Sequence, residues 1–310
     1  MNIYFSASKY NNPRASVVTI GTFDGVHIGH KAILNRLIAT AKNEDLDSVV
    51  LTFFPHPRMV LQTDSSIKLI NTIDERKDLM NKTGLDHLII HPFTKAFSRL
   101  TALEYVRDIL VHKLNIKKIV IGYDHRFGRN RNADINDLKE FGLEYGFEVE
   151  EISAQELDDV AVSSTKIRTA LKIGDIQTAN TYLGYPFMLS GKVVKGKAIG
   201  RTIQYPTANL ELSEDYKLIP KEGVYVVKTI IDNKTFYGLT NIGTNPTVGG
   251  TAKTIETYFL NFSDNLYEKT LQIEFLTHVR DAETFESLDA LKKAIQSDEK
   301  FARNFLKNHE

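Results

Sequence analysis

Two patterns of hydrophobic positions alternate along the first half of the chain. Short runs of apolar and β-branched residues predict buried strands, and they lie at Val17–Ile20, Ser48–Phe54, His87–Ile90 and Lys118–Ile121. Between these runs, apolar residues recur every three or four positions, which predicts amphipathic helices, at Ile33–Ala41, at Ile73–Met80 and through Leu103, Val106, Ile109 and Leu110. Strands that alternate with helices predict a parallel sheet covered by helices on both faces.

The pattern changes from helical to strand-like near Gly184–Pro186. Five stretches beyond this point have the composition of strands: Met188–Val194, Gly223–Ile231, Phe236–Ile242, Thr254–Phe262 and Leu266–Leu276. The pair Asp232–Asn233 separates two of them and is typical of a hairpin turn. Several short strands joined by tight turns predict a small antiparallel barrel.

One amphipathic helix is predicted to close the chain. Its buried face is expected to carry Leu288, Leu291, Ile295, Ala302 and Phe305. The predicted architecture is therefore an N-terminal Rossmann-like α/β domain with a parallel sheet over residues 1–184. A C-terminal antiparallel β-barrel with a closing helix follows over residues 185–310.

The stretch Gly21–His30 lies between the first predicted strand and the first predicted helix. A strand, a glycine-bearing turn and a helix N-terminus bring unpaired backbone N–H groups and the positive end of a helix dipole together, which suits a phosphate. The imidazoles of His27 and His30 add donors in the predicted first turn. Gly29 has no side chain, so a flat nucleobase can pack against its backbone.

Other known phosphate and metal motifs do not account for this stretch. It contains neither the Gly-x-x-x-x-Gly-Lys-Ser/Thr of a Walker loop nor the Gly-x-Gly-x-x-Gly of a dinucleotide fold. Two histidines three positions apart can bind zinc, but they need a further ligand and the chain has no cysteine to supply one. A phosphate site is the favoured interpretation.

Two further loops follow predicted strands directly. Pro55–Arg58 ends the second strand, and Gly122–Gly128 follows the strand at Lys118–Ile121. Ligands of parallel sheets bind beyond the carboxyl ends of the strands, so these loops and Gly21–His30 are expected to share one cleft. His56 and Arg58 are equally consistent with ligand contacts and with an ordinary strand terminus.

A second polar cluster begins a helix at the end of this half. In Val162–Arg168, Ser164 or Thr165 can cap the helix and present hydroxyls at its first turn. Arg168 lies one turn after Ser164 and can reach the same anion. An ordinary capped helix is the alternative.

Composition limits the class of protein. The 310 residues include 39 Lys+Arg and 39 Asp+Glu, a formal net charge of +0, which argues against a broad surface for nucleic acid or anionic membrane. Because Cys is 0, disulfides and thiolate chemistry are excluded. No apolar run reaches the roughly 18–20 residues that span a bilayer, and no signal peptide is apparent. We expect a soluble cytoplasmic protein, either monomer or homo-oligomer.

The barrel half carries two candidate chemical features. The first is Gly196–Asn209, which is rich in glycine and basic residues that can fold over phosphates. In a strand, Thr207 and Asn209 point to the same side, and their oxygens suit a Mg²⁺–nucleotide, although Thr-x-Asn is common in strands. The second is Glu256, which alternation places on the face opposite Ile255, Thr257 and Phe259.

These stretches together resemble one family. Thr22–His30 resembles the His-x-Gly-His signature of nucleotidyltransferases, and more narrowly that of the bacterial bifunctional riboflavin kinase/FMN adenylyltransferases, or FAD synthetases. Ser163–Arg168 is similar to the second adenylyltransferase signature, Ser-Ser-Thr-x-Ile-Arg, and Gly122–Gly128 to Gly-x-Asp/Asn-x-Arg-Phe-Gly. Pro206–Asn209 resembles the riboflavin kinase signature Pro-Thr-Ala-Asn. The resemblance covers nearly the whole chain in the family's order.

The resemblance implies two reactions with Mg²⁺ at each site. In the first half, the phosphate of FMN attacks the α-phosphorus of ATP, giving FAD and pyrophosphate, and the phosphate oxygens are stabilised by His27, His30, Ser164 and Arg168. The implied substrate-binding residues of this half are Gly21, Phe23, Asp24, Gly29, Asp124, Arg126 and Thr165.

In the barrel, the resemblance implies phosphorylation of riboflavin by ATP to give FMN. The ATP and Mg²⁺ are expected at Gly196, Gly200, Thr207 and Asn209, with Thr207 and Asn209 as the metal ligands. Glu256 is implied as the general base for the ribityl 5′-hydroxyl.

The chain departs from the family pattern at three positions. His125 stands where an apolar residue is common, Lys195 where His is frequent, and Gln204 where Gly is often found. Gln204 keeps open an alternative, a monofunctional FMN adenylyltransferase whose barrel only binds flavin or regulates. A relative of class I aminoacyl-tRNA synthetases, which share the short His-x-Gly-His motif, is disfavoured by the neutral charge and the missing Lys-Met-Ser-Lys-Ser loop.

Overall fold

A computed structural model describes residues 1–62, 67–123, 125–153, 162–196, 199–247 and 250–308. The chain divides into two compact units, Met1–Ser163 and Ser164–Glu310. This division precedes the predicted domain boundary at residues 184 and 185, which remains a prediction about where one function ends and the other begins.

The first unit contains a parallel six-stranded sheet within its described residues. The strands are β1 (Asn2–Tyr4), β2 (Ser16–Ile20), β3 (Asp47–Phe54), β4 (His87–Pro92), β5 (Ile116–Gly122) and β6 (Glu148–Ile152). Their order in the sheet is β1-β4-β3-β2-β5-β6, and every pair is parallel. The chain runs outward from β2 to β4 and then crosses to β5, so the strand order reverses beside β2. Such a reversal is where open α/β sheets bind ligands.

Helices cover both faces of this sheet, as predicted. They are α1 (Ile28–Asn43), α2 (Pro57–Leu61), α3 (Ile73–Asn81), α4 (Ala102–Glu104), which continues as a π-helical segment over Tyr105–Val111, and α5 (Ile135–Tyr145). Neighbouring strand residues belong to different apolar clusters, because side chains alternate between the faces of a strand. Val17 packs with Leu34 and Leu37 of α1, whereas Val18 belongs to the cluster that contains Leu110.

The second unit begins with two helices and continues as a closed antiparallel barrel. The helices are α6 (Ser164–Ile173) and α7 (Ile176–Leu183). The barrel order is β10-β11-β8-β7-β12-β9. Its strands are β7 (Met188–Val194), β8 (Ala208–Leu212), β9 (Gly223–Ile231), β10 (Lys234–Thr247), β11 (Gly250–Phe259) and β12 (Thr270–Asp281), with a short helix α8 (Ile199–Thr202) between β7 and β8. The predicted barrel is confirmed. Strand β11 ends earlier than its apolar run suggested, and β12 begins later than its own run suggested.

The hairpin between β9 and β10 has the turn that its sequence predicts. Asp232 and Asn233 both have positive φ angles, 50° and 62°. Two consecutive left-handed residues define the type I′ turn, whose twist matches that of paired strands. This turn fixes the register in which Lys234 lies opposite Ile231.

Helices α6 and α7 are bonded to the barrel. The Lys221 N–H donates to the Leu171 carbonyl of α6 at 3.0 Å. The Asn180 amide of α7 donates to the Phe275 carbonyl at 2.8 Å and accepts the Phe187 N–H at 2.7 Å. These contacts explain why both helices belong to the second unit.

The closing helix α9 (Leu288–Lys307) is present, but its buried face is shorter than expected. Ala302 is fully buried in a cluster with Val224, Val226, Leu239 and Leu260 of the barrel wall, and Phe305 packs against it. The prediction that Leu288 is buried is wrong, since 54% of its surface is exposed. The apolar contacts with the wall lie at the C-terminal turns of the helix, far from Leu288. In the part of the chain that the structure describes, no helix combines the length and apolarity needed to cross a membrane.

Candidate active sites

The turn between β2 and α1 brings three aromatic rings together. Helix α1 begins at Ile28, so His27 is its N-cap rather than a first-turn residue as predicted; its Nδ1 accepts the His30 N–H at 3.3 Å. The imidazoles of His27 and His30 stack with centroids 3.6 Å apart, and the Phe23 ring lies 5.0 Å from His30. The structure therefore places both predicted histidines side by side at a helix N-terminus.

Two glycines make room for these rings. A Cβ atom on Gly29 would lie 3.3 Å from two atoms of the His27 ring, and one on Gly21 would lie 3.0 Å from the Phe23 ring. Contacts of this length are tighter than ordinary van der Waals packing, so larger residues would displace the rings. The sequence assigned Gly29 to nucleobase packing, and the structure adds contact with His27.

The environment of His30 keeps its imidazole neutral. Burial, and then the neighbouring His27 and Arg76, hold the pKa of His30 well below its usual 6.5. Its Nδ1 is buried and makes no hydrogen bond within the described residues. A neutral imidazole has one donor and one acceptor nitrogen, so His30 keeps hydrogen-bonding capacity in the turn.

Asp24 is a buried carboxylate that binds protein backbone. It accepts the Ile70 N–H at 2.9 and 3.1 Å and the Asn71 N–H at 3.2 Å. The guanidinium of Arg76 on α3 lies 3.8 Å from it, and both side chains are at most 2% exposed. The predicted contact of Asp24 with a substrate stays a prediction. Arg76 was not anticipated from sequence, because a single arginine in the polar run of α3 gives no sign of burial.

The loops that follow β3 and β5 differ in whether their predicted polar side chains are buried or exposed. His56 is buried and caps α2, its Nδ1 accepting the Arg58 N–H at 3.1 Å, which favours the ordinary strand-terminus interpretation for His56. Arg126 follows β5 and is exposed. Asp124, the predicted partner of Arg126, lies outside the described residues.

The second adenylyltransferase signature begins at the last residue of the first unit, Ser163, and continues in the second unit. Ser164 is the first residue of α6, Thr165 is exposed, and Arg168 is half-buried one turn further on. The carbonyl of Thr165 accepts the Thr169 hydroxyl at 3.1 Å. The combined action of these residues with His27 and His30 remains a prediction.

The barrel brings Thr207, Asn209 and Glu256 together. Asn209 on β8 pairs directly with Glu256 on β11, and residues opposite one another on neighbouring strands share a face. The Thr207 hydroxyl donates to the Glu256 carboxylate at 3.3 Å. Thr207 precedes β8 rather than lying within it, as the sequence had suggested. These three predicted residues form one polar cluster.

Alternation along β11 is as predicted. Ile255, Thr257 and Phe259 are 2–4% exposed and lie inside the barrel, so Glu256 faces outward. Asn241 on β10 pairs with Glu256 from the other side. The sequence suggested no role for Asn241, although its place opposite Glu256 adds a polar group to the cluster.

Gly196 and Gly200 lie where other atoms of the barrel come close to the backbone of the loop. A Cβ atom on Gly196 would lie 2.2 Å from the Asn209 amide nitrogen, and one on Gly200 would lie 2.2 Å from the Tyr205 carbonyl oxygen. At Gly200 the backbone leaves no space for a methyl group, whereas at Gly196 a methyl group would displace the Asn209 side chain. These glycines were predicted to fold over phosphates, and here they also fix the loop next to Asn209; Lys197 and Ala198 between them lie outside the described residues.

The donor atoms of this cluster fit a magnesium–nucleotide. A hydroxyl, an amide oxygen and a carboxylate are hard oxygen ligands, and Mg²⁺ usually takes one or two protein ligands beside phosphates and waters. Within the described ranges no group of three or more His, Cys, Asp or Glu side chains is arranged to hold a metal alone. A metal at this place would therefore be held jointly by the protein and its nucleotide.

The fold and sites define a class of two-unit phosphate-transferring enzymes, in which a nucleotidyltransferase-type α/β unit precedes a barrel. A family model described as FAD synthetase matches residues 9–166, and one described as riboflavin kinase matches residues 183–306. The chain belongs to the bifunctional riboflavin kinase/FMN adenylyltransferase family.

Individual relatives agree with this assignment. The bifunctional riboflavin kinase/FMN adenylyltransferase of Escherichia coli K12 is 37% identical over 290 residues, which cover 93% of this chain and 92% of that protein. The protein of the same name from Listeria monocytogenes is 35% identical over 93% of this chain and 92% of its own length.

A solved structure shares the whole fold. The crystal structure of a protein from Streptococcus pneumoniae, described as a macrolide-efflux protein, has a TM-score of 0.88 and 32% identity, and covers 97% of this chain and 98% of its own. Its description names a different activity from those of the family models and curated relatives. The assignment to the flavin family rests on those models and relatives, and the solved structure supports the fold.

Proposed function

We propose that the chain performs both reactions of its family. The second unit transfers the γ-phosphoryl group of ATP to riboflavin, giving FMN and ADP, and the first signature region serves the transfer of AMP from ATP to FMN, giving FAD and pyrophosphate. The observation that carries the proposal is the cluster of Thr207, Asn209 and Glu256 in the part matched by the riboflavin kinase model. A barrel that merely bound flavin would not need a carboxylate beside nucleotide ligands.

In the kinase reaction, Glu256 is the general base. Its carboxylate takes the proton of the ribityl 5′-hydroxyl as that oxygen bonds to the γ-phosphorus and the bond to the ADP oxygen breaks. The hydrogen bond from Thr207 orients the carboxylate. Thr207 and Asn209 would hold Mg²⁺, which when bound with ATP neutralises charge on the phosphate oxygens.

In the adenylyl transfer, positioning and charge stabilisation replace base catalysis. A phosphate oxygen of FMN is already a nucleophile; it bonds to the α-phosphorus as the bond to pyrophosphate breaks, so no strong base is required. We assign the stabilisation of the phosphate oxygens to His27, His30, Ser164 and Arg168. Loss of one such donor typically costs about 10²–10³ in rate.

The test separates flavins by chromatography after incubation with ATP and Mg²⁺. Wild-type protein should convert riboflavin to FMN and FAD. Glu256→Gln should phosphorylate riboflavin about 10²–10⁴ times more slowly than wild type but still convert supplied FMN to FAD. Glu211→Gln is the matched control, because Glu211 is exposed two residues after Asn209 on the same strand.

The possible outcomes distinguish the two activities. If wild-type protein leaves riboflavin unchanged but converts FMN to FAD, the monofunctional alternative is correct. If FMN also stays unchanged, the assignment of His27 and His30 to flavin chemistry is wrong.

We further propose that the protein acts in the cytoplasm on small molecules, without nucleic acid or membrane partners. The neutral formal charge supports this view. Light scattering at the enzyme's assay concentration distinguishes a monomer from a homo-oligomer.

A further inference from the structure

Arg76 is a buried guanidinium beneath the turn that carries His27 and His30. Its side chain is 2% exposed, its Nη1 donates to the Thr22 carbonyl at 2.7 Å, and its Nη2 lies 3.8 Å from the Asp24 carboxylate. Removing a guanidinium from water is costly unless charge and hydrogen bonds compensate. Two of the compensating groups, the Thr22 carbonyl and the Asp24 carboxylate, belong to the same turn.

Asp24 connects this turn to the segment before α3. Its two oxygens accept the Ile70 N–H, and one also accepts the Asn71 N–H. Helix α3 begins at Ile73 with a capping box between Thr72 and Glu75, which sets the first turn that bears Arg76. The turn is thus attached to α3 by its carboxylate and by its Thr22 carbonyl.

The attached turn has an uncommon backbone. Phe23 and Val26 have φ angles of 48° and 34°, in the left-handed region. Non-glycine residues held in such conformations cost roughly 1–3 kcal/mol each and persist only where surrounding contacts determine them. Arg76 supplies such contacts, because it bonds the residue before Phe23.

Movement of this turn would reach the imidazoles directly. The Phe23 ring lies against His30, and His30 stacks on His27. His27 and Arg76 are also the charged or titratable neighbours that, after burial, lower the pKa of His30. Arg76 therefore affects the place of the histidine pair and the protonation of His30.

We propose that Arg76 is a positioning residue for FMN adenylylation, which holds the Phe23–His27–His30 ring cluster through Thr22 and Asp24. It touches neither reacting phosphate in this role and acts through the turn. The proposal rests on the proposed adenylyl transfer for its kinetic consequence, whereas its structural consequence is measurable without turnover.

The experiment compares Arg76→Gln, Arg76→Lys and the control Arg36→Gln in the full chain. Arg36 lies on α1 with His30, but its side chain is 59% exposed and pairs with Glu150. Each variant is assayed for kcat and KM of FMN adenylylation and for riboflavin phosphorylation. The titration of His30 is followed by NMR, with its imidazole signals assigned from a His30→Gln spectrum.

Arg76→Gln should lower kcat for adenylylation by roughly 10²-fold, because misplacing catalytic groups by about 1 Å costs this much. Phosphorylation of riboflavin should stay unchanged, and the pKa of His30 should rise. Arg76→Lys should keep the pKa of His30 low but recover only part of kcat, since a lysine ammonium lacks the planar, two-pronged donor geometry of a guanidinium. Arg36→Gln should resemble wild type in every measurement.

Wild-type kcat together with an unshifted His30 titration in Arg76→Gln would overturn the proposal. If Arg76→Gln does not fold, as judged by circular dichroism, Arg76→Lys decides: kcat equal to that of Arg36→Gln overturns it. If wild-type protein makes no FAD from FMN, the proposed function fails instead. The NMR comparison then still tests whether Arg76 controls His30.

Discussion

Gln204 lies in a backbone conformation that favours glycine. Its φ angle is 70°, and its side chain is exposed. A left-handed residue with a Cβ costs roughly 1–2 kcal/mol. This observation gives a physical reason for the glycine that is often found here, and it locates the departure from the family pattern in backbone strain rather than in a lost side-chain contact.

We therefore expect Gln204→Gly to stabilise the protein. Relief of the left-handed strain outweighs the extra chain entropy of glycine, which is about 0.5–1 kcal/mol, and leaves a net gain of roughly 0.5–1 kcal/mol. Thermal unfolding followed by circular dichroism measures the effect. Gln204→Ala should give no such gain, because alanine keeps the Cβ. A melting temperature of the Gly variant at or below that of wild type contradicts the prediction.

Gly196→Ala should impair the kinase selectively. The added methyl would lie 2.2 Å from the Asn209 amide nitrogen, so Asn209 must move. Since Asn209 is assigned to the magnesium–nucleotide, KM for ATP in riboflavin phosphorylation should rise roughly tenfold, about 1.4 kcal/mol of binding. Adenylylation of supplied FMN should be unaffected. An unchanged KM for ATP in Gly196→Ala would contradict the assignment.

His30 should make stability depend on pH in one direction. Its folded pKa lies well below the usual 6.5, so between these two values the unfolded chain binds the extra proton. The stabilisation is present above about pH 6.5 and is lost as pH falls from there. Urea midpoints of wild type and His30→Gln should converge as pH falls from 7.5 to 5. Parallel curves for His30→Gln would refute this.

Among the elements, the helical period was readable from the sequence and the burial of polar residues was not. The sequence predicted the helix at Ile73–Met80 from its period, and the structure has it at Ile73–Asn81. It gave no indication that Arg76 is buried, because burial of a polar residue depends on Asp24 and Thr22, which are more than 50 positions away in the chain. Position-by-position reasoning named His27, His30, Thr207 and Asn209 as candidates but did not name Arg76, whose guanidinium contacts the turn.

Strands were found where local composition is apolar. The prediction missed β1, which has three residues, and β6, which reads Glu-Val-Glu-Glu-Ile. Both lie at edges of the sheet. An edge strand has one neighbour and needs less apolar surface, so its sequence resembles a loop. The π-helical form of Tyr105–Val111 was also not predictable from the period of its apolar residues.

Two capping boxes of the first unit that begin with threonine allow a matched comparison. Thr72 and Glu75 are 6% and 3% exposed, whereas Thr101 and Glu104 are more exposed at the start of α4. Thr72→Ala should destabilise the unit by about 1–2 kcal/mol and Thr101→Ala by about 0.5 kcal/mol. The reason is that the buried Glu75 N–H, once it has lost the Thr72 hydroxyl, cannot form a hydrogen bond with water instead. Urea unfolding measures both, and equal midpoints would contradict this ranking.

At the scale of the whole molecule, the division of the chain into two units indicates which residues a separate kinase fragment must include. The barrel bonds to Leu171 of α6 and Asn180 of α7, both before the predicted boundary at residue 185. The sequence signalled this boundary by a change from helical to strand pattern. Such a change marks a change of fold type, which is not the same as a border between cooperative units.

A fragment of residues 164–310 should therefore be more stable than one of residues 185–310. The shorter fragment loses three hydrogen bonds to buried backbone and side-chain groups, each worth about 1 kcal/mol net and more when a partner is left buried. Thermal unfolding and gel filtration of the two fragments measure the difference. If both melt at the same temperature and run as the same species, helices α6 and α7 do not belong to the folding unit of the barrel.

The position of β1 has a consequence for how the molecule is made. Asn2 pairs with His87, and Tyr4 with Ile89, so the first strand of the chain joins the sheet beside a strand that is synthesised much later. Ribosomes add roughly 5–20 residues per second, so β1 waits on the order of ten seconds for its neighbour β4. During translation, the central strands β2 and β3 can meet first, and the N-terminal residues complete the edge of a sheet that already exists.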